Sequence, residues 1–142
     1  SATDAELIQL GINYFLSHKV DFGVALAHMA EATLADLKEV GIEADAQHPN
    51  ILKGVGSDPR IGGSHLNPNH DGYEGYGGAC FVKDVAALVA YAQNRGLENE
   101  FRFLRGLPLY NRRLLRAQGL TPKEVGRPDA AAVVARKKRT SR

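Results

Sequence analysis

The stretch Gly75-Tyr-Gly-Gly-Ala-Cys80-Phe-Val-Lys83-Asp84 sets a thiol, an ammonium group and a carboxylate directly behind a glycine-rich turn. Glycines ahead of a cysteine at a loop-to-helix junction let the backbone come close to a ligand and place the sulfur near helix-start N–H groups. That setting favours a thiolate nucleophile. Lys83 and Asp84 fall in the first turn of the helix expected to follow, where the lysine adds positive potential and the aspartate can order a water or exchange a proton. The rival reading is packing, because a lone cysteine also serves as a small buried hydrophobe. Cys80 is the only cysteine, so no internal disulfide framework exists. His65 and His70 flank Asn67-Pro68-Asn69 with Asp71 adjacent, but no cysteine or third histidine stands at ligand spacing, and no metal site is assigned.

The elements that must position these groups are helical. Thr3-x-x-Glu6 is a capping-box pattern, and Leu7, Ile8, Leu10, Ile12, Phe15, Leu16, Val20, Val24, Met29, Leu34 and Leu37 recur at spacings of three to five. No proline interrupts before Gly41, a C-terminal stop, so the pattern predicts one helix of about 37 residues, about 55 Å long. A small domain cannot cover such a rod alone, which implies a partner helix or a second copy. Residues 42–47 read as a connection and His48 to Gly54 as a short helix. Ser57 to Gly78 reads as a long glycine- and proline-bearing loop of the kind that often carries function. Helical spacing returns from Asp84 to a stop at Gly96, and a third apolar pattern runs from Glu98 to about Gln118. Thr121-Pro-Lys-Glu124 repeats the capping-box logic, and Asp129 is a candidate cap for a last helix over residues 130–135. No strand signal stands out.

The 142 residues, 44% of them hydrophobic, suit one domain with a real core. No stretch approaches the roughly 20 uncharged apolar residues of a membrane span, and the first residues lack a secretory pattern, so a cytoplasmic protein is the default expectation. The net charge of +2 hides a polarity. Up to Phe101, 14 Asp/Glu outnumber 6 Lys/Arg; from Arg102 onward, 12 Lys/Arg face only Glu124 and Asp129. The basic end reads as a solvated arm or one lying on the acidic part of a sister subunit or other protein. Nucleic acid is a weaker expectation, since no aromatic residues interleave in the last thirty positions to stack on bases.

Gly75 to Asp84 resembles the G-[YF]-G-G-S-C-F-x-K-D signature of the UDP-glucose/GDP-mannose dehydrogenase family. Upstream, Asp58-Pro-Arg60-Ile-Gly62 with Leu66-Asn67-Pro68 matches that family's D-x-R-I-G … L-N-P stretch in the same order. Ala5-Glu6-Leu7 with Asn13, Phe15 and Leu16 is similar to its A-E-L-x-K-x-x-x-N-x-F-L, and Leu109-Tyr110-Asn111 sits where a V-N pair usually follows. The resemblance covers about residues 5–113, the family's central domain. It implies an all-α fold, a long N-terminal helix packed with several shorter ones over residues 1–118 and dimerising through the long helix. Residues 119–142 form a basic C-terminal arm outside it.

The resemblance also implies chemistry: oxidation of a sugar C6 alcohol to an acid in two NAD-dependent steps, with a cysteine holding thiohemiacetal and thioester. Position by position, Cys80 becomes the nucleophile, Asp84 the water-handling carboxylate with Lys83 beside it, and Asn13 an oxyanion donor. Arg60 reaches a sugar across the dimer, while Leu66, Asn67, Tyr76, Gly77 and Gly78 belong to the loop that cradles the nucleotide sugar. Departures accompany the match. The family's first-helix lysine falls on Gln9, a loss of electrostatic help that typically costs about 100- to 1,000-fold, and Lys19 lies too far along the helix to replace it. The first helix is about eleven residues longer than is usual, near three whole turns. No G-x-G-x-x-G follows a strand, so no NAD site is expected in this chain, nor a nucleotide-sugar domain. These departures favour a non-catalytic assembly component, dimeric or larger and for example part of a virus particle. The alternative is a fragment or subunit of a split UDP-glucose/GDP-mannose 6-dehydrogenase using the cysteine thiohemiacetal and thioester.

Overall fold

Helix α1 (Ala2–Glu39) runs for 38 residues, roughly 57 Å, and three of the later helices pack directly against it. The structure, a computed structural model, describes residues 1–43 and 48–140. The expected 42–47 connection therefore lies mostly outside the described residues, as do Ser141 and Arg142 of the basic end. The capping box that opens α1 is Ser1–Asp4, not Thr3–Glu6: the Ser1 hydroxyl accepts from the Asp4 N–H at 3.2 Å and the Asp4 carboxylate returns to the cap. The same motif occurs twice, two residues apart, and the outer copy is used because Thr3 and Asp4 are tolerated in a first turn. Gly41 ends the helix as expected. The Ile42 N–H reaches Leu37 O at 2.9 Å and the Gly41 N–H reaches Lys38 O at 3.1 Å, a Schellman closure.

The buried side of α1 differs from the stripe expected from its large apolar residues. Tyr14, Ser17, Gly23, Val24, Ala27 and Ala30 face inward, whereas Ile8, Ile12, Phe15, Phe22 and Met29 are exposed, Phe15 by 65% and Met29 by 66%. Close approach explains the choice of small residues. A Cβ added at Gly23 would lie 2.6 Å from the Leu66 carbonyl oxygen, so the loop backbone crosses α1 where there is no side chain.

Helix α2 (His48–Gly56) runs two residues beyond its expected end and packs on α1, and α3 (Ala79–Asn94) packs on α1 more extensively. Helix α3 starts five residues before Asp84, which carries Cys80 onto the helix itself. The apolar pattern after Glu98 forms two helices, α4 (Glu98–Leu104) and α5 (Gly106–Ala117), with Arg105 between them. Pro108 accounts for the break: it has no N–H to give to Leu104 O, and that carbonyl instead accepts the Tyr14 hydroxyl at 3.0 Å. Helix α6 (Pro122–Val125) opens with the expected Thr121–Glu124 capping box. Helix α7 (Ala130–Thr140) runs through the basic stretch instead of ending near residue 135. It continues because Lys137 and Lys138 donate to carbonyls of the body, Gly119 O at 2.7 Å and Gly72 O, while Val133 and Val134 are buried. The Asp129 carboxylate pairs with the Arg127 guanidinium.

Two apolar clusters result. One joins Tyr14, Tyr76, Val85 and Leu107; the other joins Tyr73, Leu115, Leu120, Val125 and Val134, so residues from α6 and α7 share a core with α5. Two glycines in helices separate the packing argument from helix propensity. Gly23→Ala should destabilise the chain by about 1–3 kcal/mol through overpacking, whereas Gly54→Ala, with nothing within 4 Å of the new methyl, should be stabilising by about 0.5–1 kcal/mol. Urea unfolding of both variants reads the two signs.

Candidate active site

The turn ahead of α3 is built by side chains that press against glycine. A Cβ at Gly77 would fall 1.8 Å from the Tyr73 hydroxyl oxygen, and Gly78, at φ +79°, donates its N–H to Val125 O at 2.8 Å. That turn delivers Cys80 to the second position of α3, where the side chain is exposed and N–H groups without helical partners surround it. One turn further on, Asp84 is buried and accepts the Asn13 amide from α1 at 2.6 Å. Lys83 is exposed and its ammonium lies 3.2 Å from the other Asp84 oxygen. The structure thus brings together Asn13, Lys83 and Asp84 in direct contact, with Cys80 on the same helix.

The loop before this turn has no strand to pair with, and its peptides are met by two side-chain amides, one on α5 and one at its C-terminal cap. Asn111 accepts the Tyr76 N–H at 3.0 Å and returns its own N–H to Tyr76 O at 3.0 Å. Gln118, seven residues on, does the same for Glu74, accepting at 2.8 Å and donating at 2.9 Å. These two amides therefore hold alternate loop residues as a neighbouring strand would. The Glu74 carboxylate meets His28 of α1 at 3.0 Å. Tyr76 itself is buried, and burial raises its hydroxyl pKa; burial likewise pushes the Tyr73 hydroxyl up to about 12.

Asp21 also accepts the Tyr76 N–H, at 3.2 Å, through one oxygen. Its second oxygen is buried with no hydrogen-bond partner. Burial pushes this carboxyl up to about 8, against a smaller lowering by the Tyr76 N–H.

The remaining sequence candidates take separate places. The Arg60 guanidinium points outward, 87% exposed, and is tied to Asp58 at 2.6 Å and 3.0 Å. Leu66 is buried under α1, and Asn67 shares the walls of two clefts, one of about 550 Å³ against α2 and one of about 380 Å³ against Tyr76, Gly77 and Phe81. His65 lines the second cleft at φ +62°, its ring 5.7 Å from that of Phe81. Lys19 is buried and donates to Ile61 O at 2.8 Å and Gly62 O at 3.2 Å, so its charge is spent on the Asp58–Gly62 turn, and Gln9 is exposed. Among the described residues no three His, Cys, Asp or Glu side chains form a metal-binding group, no strand offers a dinucleotide cradle, and no helix is long and apolar enough to cross a membrane.

Asp21 and Gln118 are residues that the sequence reading missed, and Asn111 entered it only as a match to the family's V-N pair, with no role. A charged residue between Val20 and Val24 in a buried stripe is the one signal that pointed to Asp21. Its raised pKa makes a signed prediction for the isolated chain. The native pKa lies above the ordinary value of 3.8, so the stabilisation is full below about pH 4 and is lost as pH rises to about 8. Asp21→Asn, which keeps an acceptor for Tyr76, should flatten that decline and gain about 1–3 kcal/mol at pH 8, read from urea midpoints at pH 5 and 8.

The UDP-glucose/GDP-mannose dehydrogenase family, central domain, matches residues 3–112. UDP-glucose 6-dehydrogenase of Rickettsia bellii is 36% identical over 96 residues, 68% of this chain and 19% of that protein. UDP-glucose 6-dehydrogenase 1 of Oryza sativa is 37% identical over 93 residues, 66% of this chain and 16% of its own length. UDP-glucose 6-dehydrogenase YwqF of Bacillus subtilis is 34% identical over 103 residues, 72% of this chain and 20% of its own. The chain therefore spans about a fifth or less of the length of these relatives. The family match covers well over half of the chain, and the chain belongs to the UDP-glucose/GDP-mannose dehydrogenase family, as its central domain.

Proposed function

We propose that this chain is the dimer-forming, cysteine-bearing central part of a nucleotide-sugar 6-dehydrogenase. The observation that carries the reading is the 2.6 Å bond from Asn13 to Asp84, made across 71 residues of sequence, one helical turn from an exposed Cys80. Such a bond fixes α3 against α1, so the thiol, the carboxylate and an amide donor share one rigid frame. The Cys80 thiolate adds to a C6 aldehyde, forming a C–S bond, and the Asn13 amide and helix-start N–H groups steady the resulting oxyanion. At the thioester stage Asp84 takes the proton of an attacking water, the C–S bond breaks and the thiolate leaves. The hydride transfers need a dinucleotide site that the described residues do not contain. Leu66, Asn67, Tyr76, Gly77 and Gly78 frame the substrate loop, and Arg60, outward and exposed, serves a sugar bound by the sister subunit.

Dimerisation through α1 is supported by its exposed face. Ile8, Phe15, Phe22 and Met29 recur at seven-residue intervals, with Gly11, His18, Ala25 and Ala32 spaced between them. Large residues on one row and mostly small ones on the next make a seam that suits a second helix. A second reading, assembly without catalysis, draws on the uncharged, exposed Gln9 and on the basic face of α7 as a dock for an acidic protein surface.

Alkylation of Cys80 separates the two. The enzyme reading expects iodoacetamide labelling of Cys80 to slow about tenfold or more when UDP-glucose or another UDP-sugar is present, with Asn67→Ala abolishing the protection. Labelling indifferent to every nucleotide sugar would favour the assembly reading.

A further inference from the structure

Among the described residues Lys19 is the only buried cation, at 8% exposed. Taking an ammonium out of water is costly, so a lysine in such a place is explained by the bonds it makes. Those bonds go to two main-chain carbonyls 42 and 43 residues away, Ile61 O at 2.8 Å and Gly62 O at 3.2 Å. Both carbonyls belong to the end of the Asp58–Gly62 turn, which is closed by its own bonds. The Ile61 and Gly62 N–H groups donate to Asp58 O at 2.9 Å, and the Asp58 carboxylate takes the Arg60 N–H at 2.9 Å together with the Arg60 guanidinium. At its start the turn hangs from α2, because the Ser57 and Asp58 N–H groups donate to Lys53 O at 3.0 Å and Val55 O at 3.3 Å. Lys19 ties its end to α1.

The tie is made at a particular place on α1. Lys19 follows Phe15 by four residues and precedes Phe22 by three, so it shares a helix flank with two of the exposed residues of the outward row. One side of α1 therefore carries both the face offered to a second copy and the anchor of the turn that bears Arg60. The Arg60 side chain, 87% exposed, projects from that turn. A turn held beside the seam presents its arginine to what lies across the seam, whereas a turn without Lys19 is fastened on its α2 side alone.

We propose that Lys19 is a positioning residue for the site of the opposite copy: by pinning the Ile61 and Gly62 carbonyls beside the α1 seam, it aims Arg60 of its own chain at the nucleotide sugar held near the other copy's Cys80. The proposal rests on the dimer and on Arg60 acting between copies, as read above, and adds the residue that sets the arginine's direction. Lys19 itself touches no substrate. It acts through the turn, so its loss disturbs the neighbouring site and spares its own, which a purely structural role would not do.

Mixed dimers purified through two affinity tags read that direction. One copy keeps Cys80 and the other carries Cys80→Ser, so iodoacetamide reports a single site, and the UDP-glucose concentration that halves the labelling rate measures its occupancy. With Lys19→Met on the Cys80→Ser copy, that concentration should rise about tenfold; with Lys19→Met on the Cys80-bearing copy, it should stay within about twofold of the unmutated pair. Arg60→Ala on the Cys80→Ser copy should give the same rise, and the two changes together no more. Where Lys19→Met loses its helical circular dichroism, Lys19→Gln, which keeps one shorter donor, is read by the same criterion. A rise only when the change sits on the Cys80-bearing copy, or no rise in either pair, overturns the proposal, while protection of the unmutated pair leaves the enzyme reading standing. Labelling of the unmutated pair that is indifferent to UDP-glucose, or a wild-type chain that is monomeric, overturns both.

Discussion

The arrangement around Cys80 depends on two side-chain amides acting as a strand. A 22-residue loop without a β-ladder must still satisfy its buried peptides, and leaving one unpaired costs as much as a helix cap or a core methyl group contributes. Asn111 on α5 and Gln118 at its C-terminal cap meet that need, each accepting from and donating to a single loop residue, Tyr76 and Glu74. Everything downstream inherits the position of Tyr76: the Gly77–Gly78 turn, the start of α3, and through α3 the meeting of Asp84 with Asn13. Asp21 reinforces the same peptide at the expense of a buried carboxyl group.

The C-terminal segment takes part in this construction. Tyr73, whose hydroxyl closes over Gly77, is buried among Leu115, Leu120, Val125 and Val134, and Val125 O holds the Gly78 N–H. Lys138 grips Gly72 O, two residues before Glu74. Residues beyond the family match at 112 therefore support the turn that presents the cysteine. The charge polarity of the chain has a local expression in the same place: Lys137 pairs with Glu124 at 2.7 Å, one of the few acidic residues of the basic half.

What was legible in the sequence was local. The Cys80, Lys83 and Asp84 spacing, the Gly41 stop and the Thr121–Glu124 capping box each need only a few adjacent residues, and all occur in the structure. The inward face of α1 was not legible, because large apolar residues lie on the outward side and the inward side is chosen by how closely Leu66 and α3 approach. The α4–α5 break had its signal in Pro108, outweighed by an unbroken apolar pattern on either side. The continuation of α7 through its basic end depends on carbonyls at Gly72 and Gly119, 66 and 18 residues away from the lysines that reach them. The amide clamps are equally non-local: an asparagine and a glutamine on a helix look like surface residues until the loop they hold is placed against them.

Native-state hydrogen exchange, resolved to single amides by NMR, measures this dependence most directly. If the loop is held as described, the Glu74 and Tyr76 amides exchange as slowly as the buried amides around Val85 in α3, and Asn111→Ala speeds Tyr76 by a hundredfold or so without unfolding α1. Exchange of Tyr76 at the rate of an exposed loop in the wild-type chain would contradict the account, since nothing would then hold the turn that presents Cys80.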